Sequence, residues 1–363
     1  MICCPCCGCL TIPEGDGDIC PVCFWEYDKV AHDTPDEAIG ANGISLNEAR
    51  ENYKRIGVSE ERFAANVRKP TDEERRGRAE SRDIVIPNEI ELTIVNKFRK
   101  TIWSKFLKGI KDYELIKEGD RIAVCISGGK DSMLMALCMK RLQRYSKIPF
   151  GVEFLVMDPG YNERNRKRIE DNAAKLGIPI HIFETPIFKA VDTFDQNPCY
   201  MCARMRRGWL YKHAGELGCN KIALGHHFDD VIETILMGML YGSQVQTMMP
   251  KLHSEHFEGM ELIRPMYLVR EEDIIKWSVH NGLEFIRCAC RVTEQNVTCE
   301  TEGSKRQEIK NLLKTLRKVN PAVDKNIFRS VENVNLQTII SYHRGKDCHH
   351  FLDDYDEGRS IRG

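Results

Sequence analysis

A chain of 363 residues, 42% hydrophobic and 29% charged, can bury a substantial core and on length alone divides into about two domains. No apolar run reaches membrane-span length and no basic segment with an apolar core opens the chain, so a cytoplasmic protein with no membrane partner is expected. The net charge of −1 gives no global attraction for nucleic acid, and 16 cysteines gathered into CxxC pairs point, in a reducing compartment, to metal rather than disulfides.

The chain opens with MICCPCCGCLTIPEGDGDICPVCFWEYD. Cys4 and Cys7 form one CxxC and Cys20 and Cys23 another, across a loop containing Gly and Pro. Two such knuckles present four thiolates tetrahedrally, the preference of structural Zn²⁺. Phe24 and Trp25 are the expected apolar cap. Cys3, Cys6 and Cys9 leave the register open, since Cys3 and Cys6 also make a CxxC. With every position filled by protein, the site is expected to be structural rather than catalytic. The run CPCCG…CPVCFWEYD, continued by GANGISLNEARENYKRIGVSEERF, resembles the small CPCC-type cysteine-rich domain over residues 1–75. That resemblance implies a zinc ribbon and no activity.

Residues 68–84 are polar and highly charged, an exposed helix or connector, and a linker is expected over 76–88. From Glu89 to Tyr113, Leu92, Val95, Phe98, Ile102, Phe106 and Ile110 recur at helical spacing. They predict one amphipathic helix, with Lys97, Arg99, Lys100, Lys105, Lys108 and Lys111 opposite, facing solvent or RNA.

The centre of the chain is Arg121–Ser132, RIAVCISGGKDS. A β-branched apolar run, expected to be a strand buried on both faces, breaks at Ser127-Gly128-Gly129 and becomes an apolar-rich helix. Glycines that admit a phosphate, helix amides without partners, the mobile charge of Lys130 and the hydroxyls of Ser127 and Ser132 together make an anion site. The ordinary mononucleotide P-loop is excluded, because Val124 and Asp131 stand where it requires Gly and Ser/Thr. SGGKDS resembles instead the PP-loop of ATP pyrophosphatases, which cleave ATP between the α and β phosphates.

FGVEFLVMD, ERNRKRIEDNAAKLG and IPIHIFE continue as strand, helix and strand, predicting an α/β fold with a largely parallel sheet. Ligands of such sheets bind at the carboxyl ends of strands, which places Ser127–Ser132, Asp158 and Gly225 on one rim. Next, Cys199-Tyr-Met-Cys202 precedes a helix with Arg204, Arg206 and Arg207, a setting that favours thiolate. NKIALGHHFDD then brings His226, His227, Asp229 and Asp230 to a turn, where carboxylates could hold Mg²⁺ and His the α-phosphate; Asp229 is also a candidate helix cap. Cys288 and Cys290 follow after Arg287. Three thiolates from two segments can hold a [4Fe–4S] cluster with one iron open; a second zinc site or metal-free thiols are the alternatives. Basic clusters at Arg164–Arg168, Arg204–Arg207 and Lys305–Lys318 are either phosphate-backbone patches or solvated helix faces. Residues 305–340 read as helical, Arg344–Gly363 as a loose polar tail in which Cys348, His349 and His350 could touch metal. Cys125, Cys138 and Cys219 read as inert core.

With SGGKDS, CYMCARMRRGWLY, KIALGHHFDD, MMPKL and LIRPMYLVREEDI in order, the chain from about 90 to 335 resembles the tRNA 2-thiocytidine synthetases, PP-loop tRNA thiolases with a three-cysteine [4Fe–4S] cluster. The resemblance implies a domain over 89–335, a tail over 336–363, and the cofactors ATP, Mg²⁺ and the cluster, with Zn²⁺ in the ribbon. It also implies tRNA as substrate (cytidine 32 above all), a sulfur donor such as sulfide or a cysteine desulfurase, and a homodimer as a further expectation. Lys130, Asp131, Cys199, Cys202 and Cys288 then carry catalysis, the cysteines as cluster ligands. Ser127, Gly128, Gly129, Lys130, Asp131, Ser132, Asp158, Gly225, His226 and Asp230 bind the nucleotide. This chain departs from the family's Pro-Cys-x-x-Cys at Arg287-Cys288-Ala-Cys290, so Cys290 stays open as third ligand. A thiolase using a cysteine persulfide without a cluster, and a non-catalytic nucleotide- and metal-binding regulator, are the other functional readings.

Overall fold

The computed structural model describes residues 1–15, 17–74, 88–188, 198–286, 305–353 and 355, with backbone only at 198–200 and 203. The chain forms two compact units, Met1–Pro87 and Asn88–Gly363.

In the first unit β1 (Ile2–Cys3) pairs antiparallel with β2 (Leu10–Ile12). Its two cysteine knuckles repeat one turn: the Gly8 amide donates to the Cys4 carbonyl and the Phe24 amide to the Cys20 carbonyl, both at 2.8 Å. That turn requires a left-handed residue after the second cysteine, with φ of +77° at Gly8 and +63° at Phe24. A phenylalanine is strained there, and its ring packs at a tilt on Phe63 with centroids 4.5 Å apart. Helix α1 (Lys29–Asp33) is capped by Asp28, whose carboxylate also accepts from the Ala41 amide. Helix α2 (Leu46–Ile56) starts at Ser45, which accepts from the Glu48 amide, and stops at left-handed Gly57. Leu46 and Ala49 close a small core over Ile12, Val22, Trp25 and the cysteines.

The second unit opens with a departure from the single helix expected over 89–113. Helix α3 (Glu89–Val95) and helix α4 (Ser104–Asp112) are separated by a π-helical turn at Arg99–Trp103. The buried residues explain it: Ile94, Phe98, Ile102 and Phe106 recur every four positions. Each such step overshoots an α-helical turn by about 40°. One wider turn brings the stripe back onto the core.

From there strands and helices alternate: β3 (Arg121–Ile126), α5 (Lys130–Tyr145), β4 (Gly151–Asp158), α6 (Glu163–Lys175), β5 (Ile180–Glu184), α7 (Pro198–Glu216), β6 (Lys221–Ala223), α8 (Phe228–Gly242), β7 (Lys251–His253), β8 (Glu261–Ile263) and α9 (Glu271–His280). Six strands form one sheet in the order β5-β4-β3-β6-β8-β7, parallel except for β7 at the edge. The expected parallel α/β fold is therefore present. Alternation along β3 divides the core: Ile122, Val124 and Ile126 pack with α5 and α6, Ala123 and Cys125 with α7. Burial raises the thiol pKa of Cys125, Cys138 and Cys219, the last to about 11, as expected of inert core residues. Helices α10 (Lys305–Val319) and α11 (Val323–Ser330) pack on α8 through Ile309, Leu313 and Phe328.

Two local expectations differ. The CxxC does not precede its helix but lies in the first turn of α7, with Cys202 one turn beyond Cys199. Residues placed in a loose tail form a hairpin of β9 (Ser341–Arg344) and β10 (Asp347–His350). Its two-residue loop works because Gly345 takes φ of +67°. Among the described residues, no helix is long and apolar enough to cross a membrane.

At the amino end of the sheet Lys221 is 3% exposed, and its ammonium meets Asp120 at 2.8 Å, Glu261 at 2.9 Å and the Leu115 carbonyl at 3.0 Å. Lys221→Met strands the buried Asp120 and the half-buried Glu261, and a loss of about 3–5 kcal/mol is expected in urea unfolding. A loss below about 1 kcal/mol contradicts a stabilising role for this cluster.

Candidate active site at the carboxyl edge of the sheet

β3 and β6 are parallel neighbours whose onward connections run to opposite sides, so the crevice beyond their carboxyl ends is the switch point of the sheet. The loop after β3 is Ser127-Gly128-Gly129 and the loop after β6 carries Gly225, His226 and His227. Gly128 has φ of +81°, and a Cβ there would lie 2.6 Å from Ile169 and 2.7 Å from Ile286. A Cβ on Gly225 would meet the amide nitrogen and Cα of Ser132 at 3.0 and 3.1 Å. The β6 loop thus packs on the first turn of α5 through backbone, and the β3 loop passes under two isoleucine side chains; a Cβ would crowd both places.

Ser132 does not offer its hydroxyl outward. Its Oγ accepts from the Ser127 amide at 3.1 Å, donates to the Gly129 carbonyl at 3.0 Å and lies 3.1 Å from Ser127 Oγ. These bonds shape the loop. Helix α5 starts at Gly129 without a side-chain cap, which leaves its first amides as an anion cradle.

Lys130 is not the mobile charge expected. Its ammonium is 3.0 Å from Glu271 Oε1 and 3.2 Å from Asp131 Oδ2. Burial lowers the lysine pKa, but these two carboxylates outweigh it and the net shift is upward. Glu271 opens α9, where its amide donates to Asp229 Oδ2 at 2.8 Å. Asp131 keeps Oδ1 buried without a hydrogen-bond partner, 3.8 Å from His227 Nε2, and burial raises its pKa despite His227 and Lys130.

The cap of α8 is His227 rather than Asp229. Its Nδ1 accepts from the Asp230 amide at 3.3 Å, and Asp230 Oδ2 accepts from the His227 amide at 3.0 Å. Asp230 Oδ1 meets Arg306 at 2.5 Å. Asp229 is bound by Arg270 at 3.2 Å and Arg317 at 2.8 Å. Of the carboxylates grouped here, Asp131 alone has a fully buried oxygen without a hydrogen bond among the described residues. His226 Nδ1 is 3.3 Å from Arg264 Nε; burial, reinforced by Arg264, brings its pKa down to about 4, so the imidazole is neutral.

Asp158 ends β4 as a turn brace, accepting from the amides of Gly160 at 2.8 Å and Tyr161 at 2.7 Å. It lines a cavity of about 430 Å³ with Tyr161, Arg166, Thr185 and Phe188, and the Tyr161 hydroxyl reaches the Ser127 carbonyl at 3.4 Å. The start of α7 belongs to the same edge: Cys202, with Met205 and Trp209, packs against Met157 and Ile187. The Cys199 side chain, Cys288 and Cys290 lie outside the described residues; the last described residue before Cys288 is Ile286, beside Gly128. Glu271, Arg264, Arg306 and Arg317 were not among the expected site residues, although Arg264 and Glu271 lie in the LIRPMYLVREEDI motif and Arg306 and Arg317 in the basic run Lys305–Lys318.

In the first unit the sulfurs of Cys4, Cys7, Cys20 and Cys23, all buried, lie within 4.8 Å of one another. Cys4 and Cys23 are 3.5 Å apart and Cys7 and Cys20 3.6 Å. Among the described residues no other group of three or more His, Cys, Asp or Glu could hold a metal. Cys6 and Cys9 are buried in the surrounding core, and the exposed Cys348, His349 and His350 join no such group.

Comparison with known proteins agrees with this division. Residues 2–74 match the family described as cysteine-rich CPCC, and residues 98–292 match the PP-loop domain. The chain is 37% identical over 237 residues to the tRNA-cytidine(32) 2-sulfurtransferase of Geotalea uraniireducens, covering 64% of this chain and 91% of that one. To the protein of the same name from Alcanivorax borkumensis it is 36% identical over 248 residues, covering 67% and 84%. Among solved structures it is similar in fold to the U34-tRNA thiolase NcsA from Methanococcus maripaludis with its [4Fe–4S] cluster. That match has 21% identity and a TM-score of 0.50, over 63% of this chain and 77% of the other.

The His226 environment sets a pH dependence. The unfolded chain takes this proton near pH 6.5 and the folded protein only near pH 4, so stability is lost as pH falls through that window. His226→Gln is expected to flatten that part of the profile, by up to about 3 kcal/mol, in urea midpoints measured from pH 7 to 4. Identical slopes for both proteins contradict a buried neutral imidazole.

Proposed function

Because the chain belongs to the PP-loop tRNA-cytidine(32) 2-sulfurtransferase family, we propose that it replaces the C2 oxygen of a tRNA pyrimidine, cytidine 32 in the family's name, with sulfur, using ATP. The observation that carries this reading is the glycine-to-backbone contact of the β6 loop with the first turn of α5, which sets an uncapped helix terminus, Lys130 and an open Asp131 oxygen at one crevice.

The amides at the start of α5 receive the β and γ phosphates, and Lys130 leaves its carboxylates to follow them. Gly225 admits the nucleotide close to the β6 loop, where the neutral His226 bonds the α-phosphate. The cavity beside Asp158 takes the nucleoside. The pyrimidine C2 oxygen attacks the α-phosphorus and pyrophosphate departs; the new oxygen–phosphorus bond turns C2–O into a leaving group, and sulfur then displaces AMP. Charge on the departing pyrophosphate is stabilised by fixed donors, which is worth several kcal/mol in a dry crevice.

Mg²⁺ fits Asp131 Oδ1, a buried carboxylate oxygen with no hydrogen bond of its own, with Glu271 across Lys130; it would neutralise phosphate charge. A [4Fe–4S] cluster would be held by Cys199, Cys202 and Cys288. The CxxC one turn apart at this edge and the apolar wall of Met157, Ile187 and Trp209 around Cys202 fit it. When bound, the cluster supplies an iron site for the transferred sulfur. Zn²⁺ fits Cys4, Cys7, Cys20 and Cys23 as a closed structural site that ties the two knuckles together.

After anaerobic purification about four irons and four labile sulfides per chain are expected. Cys202→Ala should lose them, and thiolation with them, while still binding ATP; Lys130→Ala should keep the iron and slow pyrophosphate release at least about 100-fold. Full thiolation by Cys202→Ala, or no labile sulfide after reconstitution, moves the sulfur to a cysteine persulfide.

Cys20→Ala should remove about one zinc per chain. The unfolding temperature of the first unit should fall, with little change in thiolation rate at low temperature. A selective loss of thiolation at unchanged stability contradicts a purely structural ribbon.

A further inference from the structure

We propose that one face of α6, together with the turn after α9, is a docking groove for the phosphate backbone of the tRNA; this rests on the tRNA-thiolase reading above. Arg164, Lys167 and Arg168 line a cavity of about 400 Å³ whose other wall includes Gly282 and Glu284. The spacing of three and four residues puts all three cations on one face of the helix. Asn172 Nδ2 donates to the Glu284 carbonyl at 2.8 Å and ties the two walls together.

The cations already meet two acids, but weakly. Lys167 pairs with Asp171 at 3.1 Å and Arg168 with Glu284 at 3.4 Å, with the acids 62% and 82% exposed. Exposed pairs of this kind contribute little and exchange readily for phosphate. The basic strip continues past Gly282: the His280 imidazole lies 3.1 Å from the ammonium of Lys97, which precedes the π-helical turn.

The place of the groove relates it to the chemistry. Ile169 follows Arg168 on α6 and Ile286 lies two residues beyond Glu284, and both approach Gly128 so closely that a Cβ would clash. The two walls of the groove are therefore the segments that flank the PP-loop. Among the described residues no aromatic side chain lines the cavity, and its cations stand in a row along one helix face. That is the pattern of contacts that position a nucleic acid without reading its bases. A chain with a net charge of −1 must bind a polyanion through such local strips.

The test is binding of unmodified substrate tRNA at several salt concentrations, with thiolation kinetics alongside. Arg164→Ala/Lys167→Ala should weaken binding about tenfold near 0.1 M salt and flatten the slope of log K against log salt by about 1.5. KM for tRNA should rise, with the rate recovered at saturating tRNA. Asp171→Asn/Glu284→Gln should tighten binding several-fold, a gain that misfolding cannot produce. Wild-type affinity and slope in both pairs would overturn the proposal. If the unaltered protein neither binds nor thiolates tRNA, the parent reading fails first and the groove falls with it.

Discussion

A parallel sheet leaves a crevice where its strand order reverses, but a crevice is not yet a site. Here the decisive constraint is the close approach that glycine allows to each of two loops. The β6 loop rests on the first turn of α5 at Gly225, while Gly128 lets the β3 loop pass under Ile169 and Ile286. A side chain at Gly225 would push the β6 loop off the first turn of α5, and one at Gly128 would collide with Ile169 and Ile286; either would disturb the helix terminus, the lysine and the acids around it. Ser132 supports this arrangement from within, by bonding the loop to itself.

Around that contact the charges form a chain rather than isolated pairs. Lys130 meets Glu271, Glu271 hangs on Asp229, and Asp229 is held by Arg270 and Arg317, which also hold Asp324. Arg306 joins Asp230 to Glu233. Helices α10 and α11 thus reach the crevice through their arginine and aspartate side chains as well as through the apolar contacts with α8.

Much of this was legible in the sequence because it depends on local chemistry. Buried strands, the glycine turn and the paired knuckles each follow from a short run of residues. The register of the ribbon was open, since Cys3, Cys4, Cys6 and Cys7 offer two CxxC choices, and three-dimensional closure on Cys20 and Cys23 selects one. The π-helical turn was not legible because a four-residue recurrence such as Phe98, Ile102, Phe106 and Ile110 also suits an ordinary amphipathic helix; only the burial of Ile94 in the same stripe forces the wider turn. Glu271 was not read because its partner lies 141 positions away. Helix capping by His227 was missed because imidazole is an uncommon cap.

The resting state of Lys130 has a consequence for selectivity. An ammonium neutralised by two carboxylates is a poor trap for stray inorganic anions, since capturing one would leave Asp131 and Glu271 facing it uncompensated. An anion that arrives with its own cation can satisfy lysine and acids together. On the function proposed above, the crevice would thus act as a coincidence detector, favouring metal-complexed polyphosphate over the bare one.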